Sequence, residues 1–250
     1  MRKFGLIGYP LTHSFSKRYF TDKFFNEGLV SCRYDNYPLT NILSLYDLLQ
    51  SDNQIEGLNV TIPYKSEVMD CLDFTDTDAL SVGAVNVLKI KRFGEGMKLL
   101  GFNSDITGIK DTIAPLISPS LKNALILGTG GASKAVRFVL DTVGIKFTVV
   151  SRISRPDCLT YDEIEPQLYD DVQIIINTTP LGMFPDTGSM PLIRYDLLRR
   201  DHILFDLVYN PEMTAFLKKG SEKGCTIING LKMLYSQAEK SWEIWNNPDY

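Results

Sequence analysis

The chain has 250 residues, of which 44% are hydrophobic and 22% charged, a composition typical of globular proteins. Its formal net charge of -4 argues against nucleic acid or an anionic membrane as the main partner. No stretch approaches the roughly 20 apolar residues that a membrane helix needs, and the N-terminal segment lacks the continuous apolar run of a secretory signal. We therefore expect a cytoplasmic protein.

Cysteine and histidine usage limits the chemistry that the chain can perform. The four cysteines are Cys32, Cys71, Cys158 and Cys225. They form no CxxC pair, which argues against a zinc knuckle, a redox dithiol or a disulfide framework. With only two histidines, a site built from several histidine ligands is also excluded. We expect no bound metal and a reaction that relies on other side chains.

Short β-rich runs alternate with amphipathic stretches in the first hundred residues. The predicted strands cover 4–7, 33–37 and 58–62, and the predicted helices lie near 16–28 and 40–50. This βαβ rhythm predicts a mostly parallel sheet with helices on its faces. Residues 84–90 and 97–102 flank a glycine-containing turn, which predicts an antiparallel hairpin in the same sheet.

The alternation of strands and helices restarts after a helix predicted near 106–114. The predicted strands cover 124–127, 147–150, 172–176, 203–207 and 226–228, with a helix over 134–141 and a last helix over 231–245. Pro119 marks a plausible boundary. The pattern predicts two α/β domains, the second beginning near 106–120, and a last helix that packs back on the first domain.

A glycine-rich turn, Gly128-Thr129-Gly130-Gly131-Ala132-Ser133, follows one predicted strand and opens a helix. This is the context of a dinucleotide fingerprint, in which glycines let the backbone approach a pyrophosphate and helix N-terminal N–H groups meet its charge. Ser133 stands where a third glycine is usual. A plain tight turn is the alternative, but the flanking elements favour a dinucleotide cofactor.

The end of the next predicted strand distinguishes NADP from NAD. That strand runs into Ser151-Arg152-Ile153-Ser154-Arg155, with no acidic residue before Asp157. An NAD site usually carries Asp or Glu here, to accept hydrogen bonds from the ribose 2′-hydroxyl. Two guanidinium groups and two hydroxyls suit a 2′-phosphate instead. The loop predicts NADP, with a solvated basic loop as the alternative.

Lys65 closes the segment Asn59-Val60-Thr61-Ile62-Pro63-Tyr64-Lys65, which begins as a predicted strand. Pro63 suits the first position of a helix running towards Leu72. Lys65 is then expected in the first helical turn, where the helix dipole disfavours a cation, at the sheet edge where α/β proteins bind ligands. On these residues alone, a catalytic lysine and an ordinary surface lysine are equally good interpretations.

Two other strand ends carry polar side chains of undecided role. Asp105 ends the segment GFNSD over 101–105, where a strand meets a helix, and a helix N-cap is one interpretation. Ser14 and Ser16 follow the first predicted strand. Either hydroxyl could cap the next helix, and two hydroxyls one residue apart could also hold a carboxylate.

Taken together, eight segments in chain order resemble the shikimate dehydrogenase family. They are GLIGYPLTHSFS (5–16), GLNVTIPYK (57–65), GAVNVL (83–88), GFNSD (101–105), GTGGAS (128–133), INTTPLGM (176–183), DLVYNP (206–211) and NGLKMLYSQA (229–238). The resemblance implies an enzyme that interconverts 3-dehydroshikimate and shikimate with NADP, towards chorismate and the aromatic amino acids. It implies a mostly parallel substrate-binding domain over 1–105, a Rossmann-type NADP-binding domain over 106–230, and a C-terminal helix (about 231–250) that returns to the first domain.

The resemblance also implies roles for individual residues. Lys65 and Asp105 match the catalytic pair of the family. The substrate-binding residues it implies are Ser14, Ser16, Thr61, Asn86, Tyr209 and Gln237. The cofactor-binding residues it implies are Gly128, Gly130, Gly131, Ala132, Ser151, Arg152, Arg155, Thr179, Val208 and Gly230. Four positions depart from the usual family pattern, namely Val87, Ser104, Ser151 and Lys232.

Other functions stay open at this stage. An NAD-preferring quinate/shikimate dehydrogenase is the nearest alternative, although Ser16 and the Ser151-Arg152 pair argue against it. A non-catalytic ligand-sensing module and another lysine-dependent relative that acts on a folate or a linear substrate are less favoured. We expect small-molecule partners only, without nucleic acid or membrane, and either a monomer or a homodimer.

Overall fold

The computed structural model describes residues 1–11 and 15–250 and divides the chain into two compact units. The first unit comprises Met1–Ser104 and Ala238–Tyr250, and the second comprises Asp105–Gln237. The last helix is divided within its length, so residues 231–237 group with the second unit, whereas the sequence predicts that the whole helix belongs to the first. In the described part of the chain, no helix combines the length and the apolar character that a membrane span requires.

The first unit is built on one mixed sheet. In chain order its elements are β1 (Arg2–Gly8), α1 (Phe15–Asn26), β2 (Cys32–Pro38), α2 (Ser44–Ser51), β3 (Ile55–Val60), β4 (Phe74–Thr75), α3 (Thr77–Val82), β5 (Val87–Phe93) and β6 (Gly96–Phe102). The strand order is β2-β1-β3-β5-β6-β4. β1 pairs in parallel with β2 and β3, whereas β5 runs antiparallel to β3 and β6. The predicted mostly parallel sheet with an antiparallel hairpin is confirmed.

The second unit is built on a fully parallel sheet. Its elements are α4 (Asp105–Ile113), β7 (Asn123–Leu127), α5 (Gly131–Thr142), β8 (Lys146–Ser151), β9 (Leu159–Thr160), α6 (Leu168–Asp171), β10 (Ile174–Asn177), β11 (Ile203–Asp206), α7 (Ala215–Glu222) and β12 (Thr226–Ile228). The strand order is β12-β11-β10-β7-β8-β9. The chain builds the sheet outwards from β7 to β9 on one side and then from β10 to β12 on the other, so the strand order reverses between β7 and β10. This is the doubly wound order of dinucleotide-binding sheets, with its ligand crevice at the reversal. The predicted Rossmann-type fold is confirmed.

The final helix α8 (Leu231–Asn246) ends against the sheet of the first unit. Trp245 stacks on Phe4 with ring centroids 4.8 Å apart, and its indole N–H donates to the carbonyl of Leu88 at 3.0 Å. Gly57 on β3 makes room for this ring, because a Cβ at that position would overlap the indole. The aromatic packing therefore fixes the C-terminal part of α8 on the sheet.

Lys89 holds the C-terminal end of α8 from β5. It is only 8% exposed, and its Nζ donates to the carbonyls of Ile244 (3.2 Å) and Asn247. Burial, followed by repulsion from Lys91 and Arg2, lowers the pKa of Lys89. A cation at this place satisfies helix-terminal carbonyls and interacts favourably with the helix dipole.

We predict that Lys89→Met lowers the free energy of unfolding by about 1–3 kcal/mol, since the buried carbonyl of Ile244 and the partly buried carbonyl of Asn247 lose their donor. Urea denaturation measures the change. Lys98→Met, at an exposed lysine of the same hairpin, is the matched control and should stay within about 0.5 kcal/mol of the parent protein. Equal stability of the two variants would show that Lys89 does not support α8.

Candidate functional site

One edge of the first sheet gathers several residues that the family resemblance identifies. Thr61 and Lys65 follow the end of β3, and Asn86 immediately precedes β5, which runs in the opposite direction. The backbone joins the two segments. The N–H of Val60 donates to the carbonyl of Asn86 at 2.9 Å, and the N–H of Val85 donates to the carbonyl of Lys65 at 2.7 Å. The segments that carry Lys65 and Asn86 are therefore direct neighbours.

The helix predicted over residues 63–72 is wrong. Lys65 lies in a turn over residues 62–66, which contains the cis peptide bond Ile62–Pro63, and only a 3-10 helix over Glu67–Cys71 follows. The reason is tertiary, because the carbonyl of Lys65 accepts the N–H of Val85 rather than a helical N–H. The helix-dipole argument therefore does not apply to Lys65. Its side chain is half-buried at the expected sheet edge.

Of the two serines predicted to bind the substrate carboxylate, Ser16 belongs to the described residues. Ser14 lies outside the described residues. Ser16 is in the first turn of α1, one turn before Phe20, whose ring stacks on that of Tyr34 on β2, so the Ser16 hydroxyl lies beside Tyr34. Asn86 is buried, and its Oδ1 accepts the backbone N–H of Ser104 at 2.7 Å, which leaves its Nδ2 as the donor end of the amide. Tyr34, beside Ser16, and Ser104, which holds Asn86, have no role among the predicted site residues.

The remaining predicted catalytic and substrate residues belong to the second unit. Asp105 is its first residue and the first residue of α4, and its side chain is only 4% exposed. Backbone N–H groups at a helix start favour a carboxylate there. Tyr209 is half-buried beyond β11, and the Nε2 of Gln237 on α8 donates to the carbonyl of Leu234 at 3.0 Å.

The glycine turn has the predicted strand–turn–helix geometry between β7 and α5. Gly128 has φ +114°, and a Cβ there would lie 2.6 Å from Oγ1 of Thr178. Gly130 is the N-cap of α5, and nothing lies within 4 Å of a Cβ built on it, so its outer face is open to a ligand. The hydroxyl of Ser133 donates to the carbonyl of Gly128 at 2.7 Å. A serine in the third glycine position therefore closes the turn.

A basic cavity adjoins this turn. It has a volume of 410 Å³ and is lined by Thr129, Lys134, Arg137, Arg155, Pro156 and Cys158. These six residues include three cations and no carboxylate. The Nε of Arg137 is buried and has no hydrogen-bond partner among the described residues. Ser151 and Arg152 are at the end of the neighbouring strand β8, where Ser151 is buried and Arg152 is exposed.

Lys134 and Arg137 were missed by the sequence analysis. They lie three residues apart on α5 and therefore on one face of that helix. Their spacing directly after a glycine-rich turn was the available signal. With Arg155 from the loop after β8, they make the cavity suited to a phosphate group that an NAD-type acidic residue would repel.

Two buried side chains connect the ends of β10 and β11. Nδ2 of Asn177 donates to Oδ1 of Asp206 at 2.9 Å, while Oδ1 of Asn177 accepts the backbone N–H and the hydroxyl of Thr179. Asp206 also accepts the N–H of Val208 at 3.0 Å and the hydroxyl of Thr214 at 2.6 Å. The predicted cofactor residues Thr179 and Val208 are thus held by one buried network.

Gly230 lies next to this network. Its N–H donates to the carbonyl of Val208 at 3.1 Å, and a Cβ at this position would overlap the carbonyl of Leu207. Only glycine permits this approach of the two backbone segments. The position of Gly230, predicted to contact the cofactor, is therefore tied to that of Val208.

The buried carboxyl group of Asp206 should make the free energy of unfolding depend on pH. Burial raises its pKa to about 6, against the opposing hydrogen bonds from Thr214, Val208 and Asn177. The folded protein therefore retains a proton that the unfolded chain loses near its ordinary pKa of 3.8. This stabilisation is fully present below about pH 4 and is lost as the pH rises through about 6.

We expect the stability of the parent protein, relative to Asp206→Asn, to decrease by about 2 kcal/mol between pH 4 and pH 7. The asparagine does not titrate, so the difference between the two proteins isolates this carboxyl group. Urea denaturation at several pH values in that window gives the result. Parallel stability profiles for the two proteins would contradict the prediction.

Comparison with known proteins agrees with this geometry. The family model described as the shikimate dehydrogenase substrate binding domain matches residues 6–88. The shikimate dehydrogenase (NADP(+)) of Methanococcus aeolicus is 35% identical over 260 aligned positions, which cover 96% of this chain and 90% of that protein.

Solved structures extend the similarity over both units. Shikimate dehydrogenase from Aquifex aeolicus matches with a TM-score of 0.85 and 31% identity, over 98% of this chain and 92% of that one. Shikimate 5-dehydrogenase from Thermus thermophilus, solved in complex with NADP(H) and shikimate, matches with a TM-score of 0.84 and 27% identity, over 98% and 94%. The chain belongs to the shikimate dehydrogenase family.

Proposed function

We propose that the chain catalyses the reversible NADP-dependent reduction of 3-dehydroshikimate to shikimate, a step of the shikimate pathway towards chorismate and the aromatic amino acids. The observation that carries the proposal is similarity to NADP-dependent shikimate dehydrogenases over 96% of the chain. This similarity covers both the mixed sheet with Lys65 and the parallel sheet with the glycine turn. Neither half is replaced by an unrelated domain.

The residues of the second unit fit NADP. In the proposal the pyrophosphate is held by the turn residues Gly128, Gly130, Gly131 and Ala132. The open face of Gly130 supports this placement, because a backbone without a side chain admits the phosphates. The 2′-phosphate is held by Ser151, Arg152 and Arg155, and the basic cavity beside them supports that assignment.

The nicotinamide end of the cofactor is assigned to Thr179, Val208 and Gly230. The buried Asn177–Asp206 pair supports this assignment, because it holds Thr179 and Val208 at the ends of adjacent parallel strands. Ligands of doubly wound sheets bind at these strand ends. NADPH supplies the hydride when it is bound.

The proposed substrate contacts are those that the family resemblance implies, and the chemistry of the side chains is consistent with them. Ser14 and Ser16 donate hydrogen bonds to the substrate carboxylate without adding a full charge. Thr61, Asn86 and Gln237 bind the remaining carboxylate or ring-hydroxyl positions, and Tyr209 closes the pocket. The fixed amide of Asn86, with its Nδ2 as donor, supports its assignment to a substrate oxygen.

Lys65 and Asp105 are the proposed catalytic pair. Negative charge develops on the carbonyl oxygen as hydride reaches the ketone carbon. The ammonium group of Lys65 stabilises this charge and donates the proton that completes the hydroxyl. The carboxylate of Asp105 accepts a hydrogen bond from the reacting hydroxyl and so orients it. Oxidation of shikimate uses the same groups in reverse.

The experiment that tests the proposal is a spectrophotometric assay of NADPH formation by the purified chain with shikimate and NADP. Quinate replaces shikimate in one control, and NAD replaces NADP in another. We expect kcat/KM to be highest for the pair shikimate and NADP. A preference for quinate or for NAD would instead favour the quinate/shikimate dehydrogenase interpretation.

A further inference from the structure

A buried chain of polar side chains runs through the first unit, and we call it the buried polar chain. In order, its members are Ser16, Tyr34, Asn59, Ser241, Ser104 and Asn86. Both ends are proposed substrate-binding residues, and the four members between them have no assigned role. From Tyr34 to Asn86 every member is buried. Polar groups at such depth are costly unless all of them are hydrogen-bonded, so their arrangement is tightly specified.

Tyr34 on β2 forms the link to Ser16. Its hydroxyl donates to Oδ1 of Asn59 at 2.8 Å. Its ring stacks on Phe20 with centroids 4.7 Å apart, and Ser16 lies one turn before Phe20 on the same face of α1, which brings the Ser16 hydroxyl beside that of Tyr34. Burial raises the pKa of Tyr34 far above its ordinary value. The phenol therefore stays protonated and can act as a donor at any pH at which the enzyme is assayed.

Asn59 on β3 and Ser241 on α8 form the middle of the chain. Nδ2 of Asn59 donates to Oγ of Ser241 at 2.9 Å and to the carbonyl of Asn86 at 3.3 Å. Because its Oδ1 is bound by Tyr34 and its Nδ2 by these two acceptors, the amide of Asn59 has a single orientation. Three separate elements are joined through this one side chain.

The other end of the buried polar chain is Asn86. Oγ of Ser241 lies 3.2 Å from Oγ of Ser104, and Ser104 in turn contacts both ends of the Asn86 amide. Its hydroxyl accepts from Nδ2 at 3.1 Å, and its backbone N–H donates to Oδ1 at 2.7 Å. The orientation of Asn86 is thereby coupled to the same chain that contacts Ser16.

We propose that the buried polar chain orients Ser16 and Asn86 for substrate binding, and that Tyr34 is a positioning residue for the hydroxyl that receives the substrate carboxylate. The inference rests on the proposed function. Tyr34 has one proton and two oxygen neighbours, Ser16 Oγ and Asn59 Oδ1. When Ser16 turns its own proton to the carboxylate, Tyr34 can turn its proton from Asn59 to Ser16 and keep the Ser16 oxygen in place, while the Asn59 amide stays held by the two acceptors of its Nδ2. Phenylalanine at position 34 has no hydroxyl proton, so it cannot donate to Ser16.

The test compares Tyr34→Phe with the parent enzyme by steady-state kinetics. We expect KM for shikimate to rise about 3- to 10-fold, the effect of one hydrogen bond, with kcat and KM for NADP within about twofold. With shikimate methyl ester, which lacks the negative carboxylate, KM should change by less than about twofold. A purely structural role for Tyr34 would not discriminate between these two substrates.

Two variants serve as controls. Tyr46→Phe removes another hydroxyl of the first unit, one that donates to the carbonyl of Cys71 at 3.0 Å, and should leave KM for shikimate unchanged. Ser16→Ala removes the group on which Tyr34 is proposed to act. In the Ser16→Ala background, Tyr34→Phe should raise KM no further, because both changes remove the same contact.

Ser241→Ala alters the buried polar chain on α8 and leaves the residues of β2 unchanged. It removes an acceptor of Asn59, and KM for shikimate should rise about 2- to 3-fold at unchanged KM for NADP. The inference is overturned if folded Tyr34→Phe and Ser241→Ala both retain the parental KM for shikimate, or if the effect of Tyr34→Phe is fully additive with Ser16→Ala. A parent protein that does not oxidise shikimate overturns the proposed function instead, and this inference with it.

Discussion

Replacement of Lys65 by methionine is expected to lower kcat about 10²- to 10⁴-fold, while shikimate and NADPH still bind within about threefold of their parental affinity. Methionine retains most of the apolar stem of the half-buried lysine and removes its ammonium group. The charge that develops on the carbonyl oxygen then loses its stabilising cation and its proton donor. Steady-state kinetics with shikimate and NADP, together with calorimetric binding of each ligand, measure the two effects separately.

Lys98→Met is the matched control for this experiment, because Lys98 is an exposed lysine on β6 of the same sheet. Its kcat should equal that of the parent enzyme. A near-normal kcat in Lys65→Met would remove Lys65 from the catalytic pair. Loss of shikimate binding at unchanged kcat would make it a binding residue instead.

The second large effect is expected at the 2′-phosphate site. The double variant Arg152→Ala, Arg155→Ala should raise KM for NADP about 10- to 100-fold and leave kcat/KM for NAD within about threefold. Charge-assisted hydrogen bonds to a phosphate contribute about 1.5–3 kcal/mol each, and exposure of both arginines reduces that contribution through solvent screening. Kinetics with the two cofactors give the ratio directly.

Replacement of a third arginine, Arg137, is expected to have a smaller effect on KM for NADP. Its Nε is buried at the basic cavity, so Arg137→Met should raise KM for NADP about 3- to 10-fold. Arg194→Gln is the matched control, because Arg194 is an exposed arginine of the second unit that pairs with Asp196.

The contradicting outcome concerns the double variant Arg152→Ala, Arg155→Ala. If it lost activity equally with NADP and NAD, Arg152 and Arg155 would lie outside the 2′-phosphate site.

The fold was predictable where local patterns and long-range pairing agree. The hairpin of β5 and β6 has a glycine turn between apolar runs, and the strand before Gly128 is short and apolar. The 3.6-residue periodicity of α8 is likewise a local property. Each of these elements has a sequence signal within its own length, so the structure confirmed them with shifts of a few residues at most.

The turn at Lys65 could not be predicted, because a bond from a distant residue determines it. Pro63 is a good helix starter in isolation, but the N–H of Val85 occupies the carbonyl of Lys65. Helix α3 shows the opposite case. Its cap Asp76 accepts the N–H of Asp78, and Gly83 ends it with φ +66°, so both local signals were present and were missed.

The interior of the candidate site was the least predictable part. Asn59 and Ser241 are 182 residues apart in the chain, and neither has a local pattern that pairs it with the other. Tyr34 likewise stands in a strand where a buried aromatic side chain is ordinary. Only the folded arrangement shows that their polar atoms meet between Ser16 and Asn86.

The most direct test of the central claim is the forward reaction. The purified chain is mixed with 3-dehydroshikimate and NADPH, the loss of NADPH is followed spectrophotometrically, and the product is identified by NMR. We predict that one NADPH is oxidised for each shikimate formed and that Lys65→Met abolishes most of this turnover. Failure of the parent protein to consume NADPH with 3-dehydroshikimate, or formation of a product other than shikimate, would contradict the account.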